Sequence, residues 1–76
     1  MLYNKLKNLQ NITHQEEAVV QYILDHPSDL LRMSINDLAI LSYSSTSTIV
    51  RLCKKLGYKG FTEFKLTYVS EFSLFL

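Results

Sequence analysis

Between Ser44 and Gly60 the chain reads SSTSTIVRLCKKLGYKG, in which Arg51, Lys54, Lys55 and Lys59 stand without a single acid among them. A guanidinium donates two parallel hydrogen bonds to the O6 and N7 of a guanine, while an ammonium meets phosphate oxygens as a point charge. Small hydroxyl residues ahead of such a helix leave its entering end slim enough for a DNA major groove. The chemistry offered is recognition of a polyanion. Catalytic chemistry finds little support: His14 and His26 have no sequence partner that would make an acid–base pair, and Cys53 has no second cysteine for a disulfide or a metal. No catalytic residue, metal ligand or cofactor site is assigned, and the chain does not read as an enzyme.

The distribution of charge supports the same reading. Over all 76 residues the formal net charge is only +1. Residues 11 to 43 carry Glu16, Glu17, Asp25, Asp29 and Asp37 against Arg32, whereas residues 44 to 60 are net +4. A local positive footprint of this kind attracts phosphate over about a Debye length even on a nearly neutral molecule. Hydrophobic residues make up 47% of the chain, which excludes a disordered tail, yet no apolar run approaches the ~20 residues that cross a bilayer. The opening MLYNKLKNLQ interleaves charge with apolar residues and shows no secretory signal. A cytoplasmic domain with no membrane partner is expected.

The elements that must hold the basic stretch follow from hydrophobic spacing and caps. Leu2, Leu6 and Leu9 recur at helical spacing and predict a helix over about 2–10. Thr13 with Glu16 three residues on is a capping box that opens a second helix over 14–25, which Pro27 ends. In that helix Ala18, Val19, Tyr22 and Ile23 form the core stripe, and Glu16, Glu17 and Gln21 turn to water. A turn of helix over about 28–32 brings Leu30, Leu31 and Met33 as core filler. Ser34 caps a helix over about 35–42, with Ile35, Leu38, Ala39 and Leu41 inward and Asp37 favoured in its first turn by the helix dipole. Ser45 caps the next, over about 46–56, and Gly57 ends it.

Two short helices joined by the turn 42–45 make a helix-turn-helix. In its second helix Ile49, Leu52, Cys53 and Leu56 form the buried stripe, so Ser47, Thr48, Arg51, Lys54 and Lys55 are expected to point outward. Thr48 and Arg51 then specify bases. Lys54, Lys55 and Lys59, with Ser45 and the free N–H groups at the helix start, position phosphates, and Thr46 and Ser47 lie at the entering end. A last helix over about 61–75 carries Phe61, Phe64, Tyr68, Phe72 and Phe75 at spacings of three or four, and Leu66, Val69, Leu74 and Leu76 widen its apolar surface. That helix either packs across the domain or meets a second copy, and a protein-interaction module built on it is the alternative to DNA binding. No cap or polar tail precedes Leu76, which predicts that residues 1–76 are the N-terminal part of a longer protein.

Taken together, Ser34-Ile35-Asn36-Asp37-Leu38-Ala39, Ser45, Thr48-Ile49-Val50-Arg51-Leu52, and Lys54-Lys55-Leu56-Gly57-Tyr58-Lys59-Gly60-Phe61-Thr62-Glu63-Phe64 resemble the N-terminal DNA-binding domain of RpiR-type bacterial transcriptional regulators. Thr13, Glu16 and His26-Pro27 fit the same pattern. The resemblance implies an all-α fold, a small multi-helix bundle with a homeodomain-like helix-turn-helix. It implies a homodimer on double-stranded operator DNA of sugar or phosphosugar metabolism genes. It also implies a phosphosugar effector bound by a sugar isomerase (SIS) domain that these residues do not contain. Two positions depart from the family pattern: Tyr43 stands where Gly is frequent, and Ser44 where an apolar residue packs under the turn.

Overall fold

Side-chain caps start three of the helices in the computed structural model, which describes the backbone of residues 2–73 and the side chains of residues 5–71. Helix α1 spans Leu2–Lys7, shorter than the predicted 2–10, and the chain then turns through Asn11 at φ 60°. Asn tolerates this left-handed conformation better than most residues. Helix α2 spans His14–Asp25 as predicted. The Glu16 N–H donates to Thr13 Oγ1 at 3.1 Å and the Thr13 N–H donates to Glu16 Oε1 at 2.9 Å, a closed capping box. At its other end the His26 N–H reaches the Tyr22 carbonyl at 3.0 Å, and the His26 ring stacks on Tyr22 at 4.1 Å between centroids.

The predicted turn of helix over 28–32 is a single 3-10 turn, Leu30–Arg32. Helix α3 spans Ile35–Leu41 behind a second capping box, in which Ser34 and Asp37 exchange backbone and side-chain bonds of 3.1 Å. Helix α4 spans Thr46–Lys55 behind Ser45, and α5 spans Phe61–Ser73. Among the described residues every regular element is helical. The chain has the all-α architecture expected of it.

One core joins these helices. Leu6 of α1, Val19 and Ile23 of α2, Leu30, Leu38 of α3, Ile49 and Leu52 of α4 and Phe64 of α5 are each at most 2% exposed. Helix α4 packs against α2, α3 and α5, so the basic helix is clamped on three sides. Phe61, Phe64 and Tyr68 form an aromatic run with centroid spacings of 6.4 and 6.0 Å, and Tyr58 meets Phe64 edge-on at 5.9 Å. Helix α5 therefore packs across the domain, against α1, α4 and the 3-10 turn. The side chains of Leu2 and Phe72, and residues Leu74, Phe75 and Leu76 altogether, lie outside the described residues.

Some inward assignments are corrected. The buried stripe of α2 is Glu16, Val19, Val20 and Ile23, while Ala18 is exposed and Tyr22 half-buried. The stripe is rotated because α4 lies over the start of α2, which draws Glu16 inward to 1% exposure. Leu31 and Leu41, expected in the core, are 52% and 47% exposed, whereas their neighbours Leu30 and Leu38 fill it. A 3-10 turn and a two-turn helix each have room for only a narrow inward edge.

Candidate nucleic-acid interface

The turn into α4 is built from backbone bonds. The Ser42 N–H donates to the Leu38 carbonyl at 2.9 Å and the Ser44 N–H to the Ala39 carbonyl at 2.8 Å. To make the second bond the chain passes through a left-handed residue, and that residue is Tyr43 at φ 55°, with its ring 94% exposed. Glycine adopts this φ without a Cβ penalty, which is the reason a glycine is expected at this position and Tyr43 is a departure. Ser44 follows with its Oγ buried and unpartnered, at the place where an apolar side chain costs nothing. Ser45 then caps α4, its Oγ accepting from the Thr48 N–H at 3.2 Å.

Helix α4 presents its inner face as expected: Ile49, Leu52 and Cys53 are 1% exposed and Leu56 6%. Burial pushes the Cys53 thiol up to about 12, so it stays protonated at neutral pH and acts as a small apolar side chain. On the opposite face Ser47, Arg51 and Lys54 are exposed, spaced four and three residues apart in one row. Ser45 and Lys59 are exposed at the two ends, and Thr46 is half-buried.

Two assignments on the flank of α4 are corrected. Thr48, expected to point outward, is 0% exposed. Its Oγ1 lies 2.9 Å from Ser45 Oγ, donates to Gln15 Oε1 of α2 at 3.2 Å, and accepts from Arg51 Nη2 at 3.3 Å. Lys55 remains 40% exposed along its side chain, but its ammonium is committed to Glu16 Oε1 at 2.8 Å and to the Asn11 carbonyl at 3.1 Å. Thr48 and Lys55 are seven residues apart and so occupy one flank of α4, the flank that α2 covers. Desolvation alone would raise the carboxyl pKa of Glu16, but the hydrogen bonds from Lys55 and Thr13 outweigh it and hold the group below the ordinary carboxylate range. Gln15 and Glu16 are the residues that reading the sequence for a site overlooked. Each lies more than 30 positions from its partner on α4, beyond any local pattern.

What remains facing out is a cationic edge. Arg51, Lys54 and Lys59 make no ion pair among the described residues, and Arg51 is oriented by a neutral hydroxyl. No group of His, Cys, Asp and Glu among the described residues could hold a metal ion, and none of the helices is long and apolar enough to cross a membrane.

This arrangement has relatives. Residues 2–74 match the family described as a helix-turn-helix domain of the rpiR family. The HTH-type transcriptional regulator YbbH of Bacillus subtilis is 33% identical over 83% of this chain, and one from Caldanaerobacter subterraneus is 36% identical over 74%. The chain spans 24% and 20% of those two proteins, roughly a quarter of the length of such relatives. Among solved structures, the Vibrio vulnificus NanR protein complexed with ManNAc-6P superposes with a TM-score of 0.92 at 32% identity, over 97% of this chain and 28% of that one. The N-terminal domain of Bacillus subtilis YbbH superposes with a TM-score of 0.75, also at 32% identity, over 86% of this chain and 77% of that one. An all-helical bundle, a capped helix-turn-helix and these relatives together place the chain in the rpiR family of helix-turn-helix domains, as the DNA-binding domain of a transcriptional regulator.

Proposed function

We propose that α4 enters the major groove of double-stranded operator DNA with Ser47 and Arg51 toward the base edges. Lys54, Lys59, Ser45 and Thr46 then meet the flanking phosphates. The observation that carries this reading is the exposed row Ser47, Arg51, Lys54 on a helix whose opposite face is buried and whose neighbourhood, residues 44–60, contains no acid. Arg51 specifies by bidentate hydrogen bonding, and the lysines position. Thr48 supports the reading edge from behind instead of forming part of it. Lys55, its ammonium holding the Glu16 carboxylate, drops out of the set that meets phosphates.

The domain works as the N-terminal part of a longer cytoplasmic regulator that binds DNA as a homodimer. Half-sites one helical turn apart lie about 34 Å centre to centre. The longest extent of the domain is 30 Å, so two copies fit side by side on one face of the duplex. The effector is a phosphosugar, bound by a sugar isomerase domain outside these residues, and the regulated genes serve sugar metabolism. The NanR relative, complexed with ManNAc-6P, supports this assignment.

The test is fluorescence anisotropy with duplexes selected from a randomised pool, repeated across salt. With three to five phosphate contacts per domain, log affinity should fall with log salt at a slope of roughly −3 to −5. Failure to bind any duplex in a salt-dependent manner defeats the reading.

A further inference from the structure

Thr48 sits at the centre of a hydrogen-bonded group whose polarity is set by the chemistry of its members. Its hydroxyl has one proton to give and two lone pairs to offer. The Arg51 guanidinium only donates, so it takes one lone pair at 3.3 Å. The Gln15 amide oxygen only accepts, so it takes the proton at 3.2 Å. Ser45 Oγ, at 2.9 Å, then donates to the second lone pair. Every capacity of this hydroxyl, 0% exposed, is used once.

The arrangement is sensitive to Gln15. Thr48 is the third residue of α4, so no carbonyl of its own helix lies four residues back to take its proton. Gln15 takes that proton instead, which leaves a lone pair of the hydroxyl for Arg51. We infer that Gln15 of α2 is a positioning residue for Arg51: acting through Thr48, it holds the guanidinium in the direction that reads a base and so sharpens sequence preference without itself touching DNA. The inference rests on the proposed role of Arg51. It extends the determinants of specificity from the recognition helix to the start of α2, which the helix-turn-helix pattern alone does not include. The device suits an arginine, because a guanidinium left free on an exposed helix face spreads over many rotamers and discriminates only after it has been ordered.

The experiment uses the full chain with the duplex its wild type selects, together with the three single-pair variants at the position most affected by Arg51→Ala. A bidentate contact discriminates between base pairs by roughly 5- to 150-fold. Gln15→Met, which keeps length at an exposed position but cannot accept the proton, is expected to lower that discrimination about 3- to 10-fold while preference elsewhere in the site is unchanged. Thr48→Val should do the same and Thr48→Ser should retain it. In the Thr48→Val background, Gln15→Met should add nothing. Thermal melting of each variant separates these effects from loss of fold. If Gln15→Met keeps the wild-type preference at that pair, or weakens all duplexes equally, Gln15 is not a positioning residue. Absence of duplex selection by the wild type removes the DNA reading itself, and this inference with it.

Discussion

Arg51 is the residue on which recognition is staked, and its surroundings explain why it is available. It lies on the exposed row of α4, its nearest side-chain partner is a neutral hydroxyl, and no carboxylate among the described residues competes for it. Lys55, only four positions on, has the opposite situation: a buried carboxylate has claimed its ammonium. Two cations of one helix thus take different work, one left facing outward, as the proposed DNA contact requires, and one tying α4 to α2. Arg51→Ala should therefore cost about 1 to 3 kcal/mol on the selected duplex and relax preference at one base pair. Titration against the matched and singly substituted duplexes measures it, and an equal loss on all of them would reassign Arg51 to a phosphate.

The helix-turn-helix element owes its shape to Tyr43. Closing the Ser44–Ala39 bond requires a left-handed residue at the end of α3, and a tyrosine held at φ 55° bears the Cβ clash that a glycine avoids. The penalty for an L-residue in this conformation is roughly 1–2 kcal/mol, offset in part by the ~0.5–1 kcal/mol of extra freedom that glycine brings to the unfolded chain. Because the Tyr43 ring is 94% exposed, replacing it sacrifices little packing. Tyr43→Gly is expected to stabilise the domain by about 0.5–1 kcal/mol, seen as a melting temperature higher by roughly 4 °C. A lower melting temperature would mean that the exposed ring makes a stabilising contact of its own. The same turn buries the unpartnered Ser44 hydroxyl, so the entry to α4 carries two small local penalties side by side. The capping bond of Ser45 and the buried stripe of α4 hold it in place against them.

At the scale of the whole molecule, the Glu16–Lys55 pair sets how stability responds to acid. Glu16 is 1% exposed, receives 2.8 and 2.9 Å bonds from Lys55 and from the Thr13 N–H, and has a carboxyl pKa lowered from 4.5. A depressed carboxyl pKa stabilises the fold at pH above the unfolded value and ceases to do so as pH falls through the folded value. The melting temperature should hold from neutral pH down to about 5 and decline below roughly 4.5. Glu16→Gln keeps an acceptor for the Thr13 N–H and should flatten part of that decline, as scanning calorimetry between pH 3 and 7 would show. If the variant follows the wild-type profile throughout, the pair does not contribute to the acid limb. The pair also decides how the positive field is distributed. It neutralises the side of α4 that faces α2 and leaves Arg51, Lys54 and Lys59 for an outside partner.

Most of the fold was legible because its signals are local. Thr13 with Glu16, Ser34 with Asp37, Ser45 and Pro27 lie within a turn of the boundaries they set, and capping is a contact between near neighbours in the chain. The inner face of α4 was equally plain, since Ile49, Leu52, Cys53 and Leu56 follow the helical repeat. The flanks were not legible. A helical wheel separates an apolar face from a polar one, but whether a threonine or lysine at the border is wet depends on which helix lies over it. Here that helix is α2, which buries Thr48 and Glu16 and engages Lys55 through contacts spanning more than 30 positions. By itself, then, the sequence determined the helices, the turn, the basic stretch and the family. Tertiary packing alone decided which cation faces outward, because the desolvation of a border residue is imposed by a neighbour that no local pattern names.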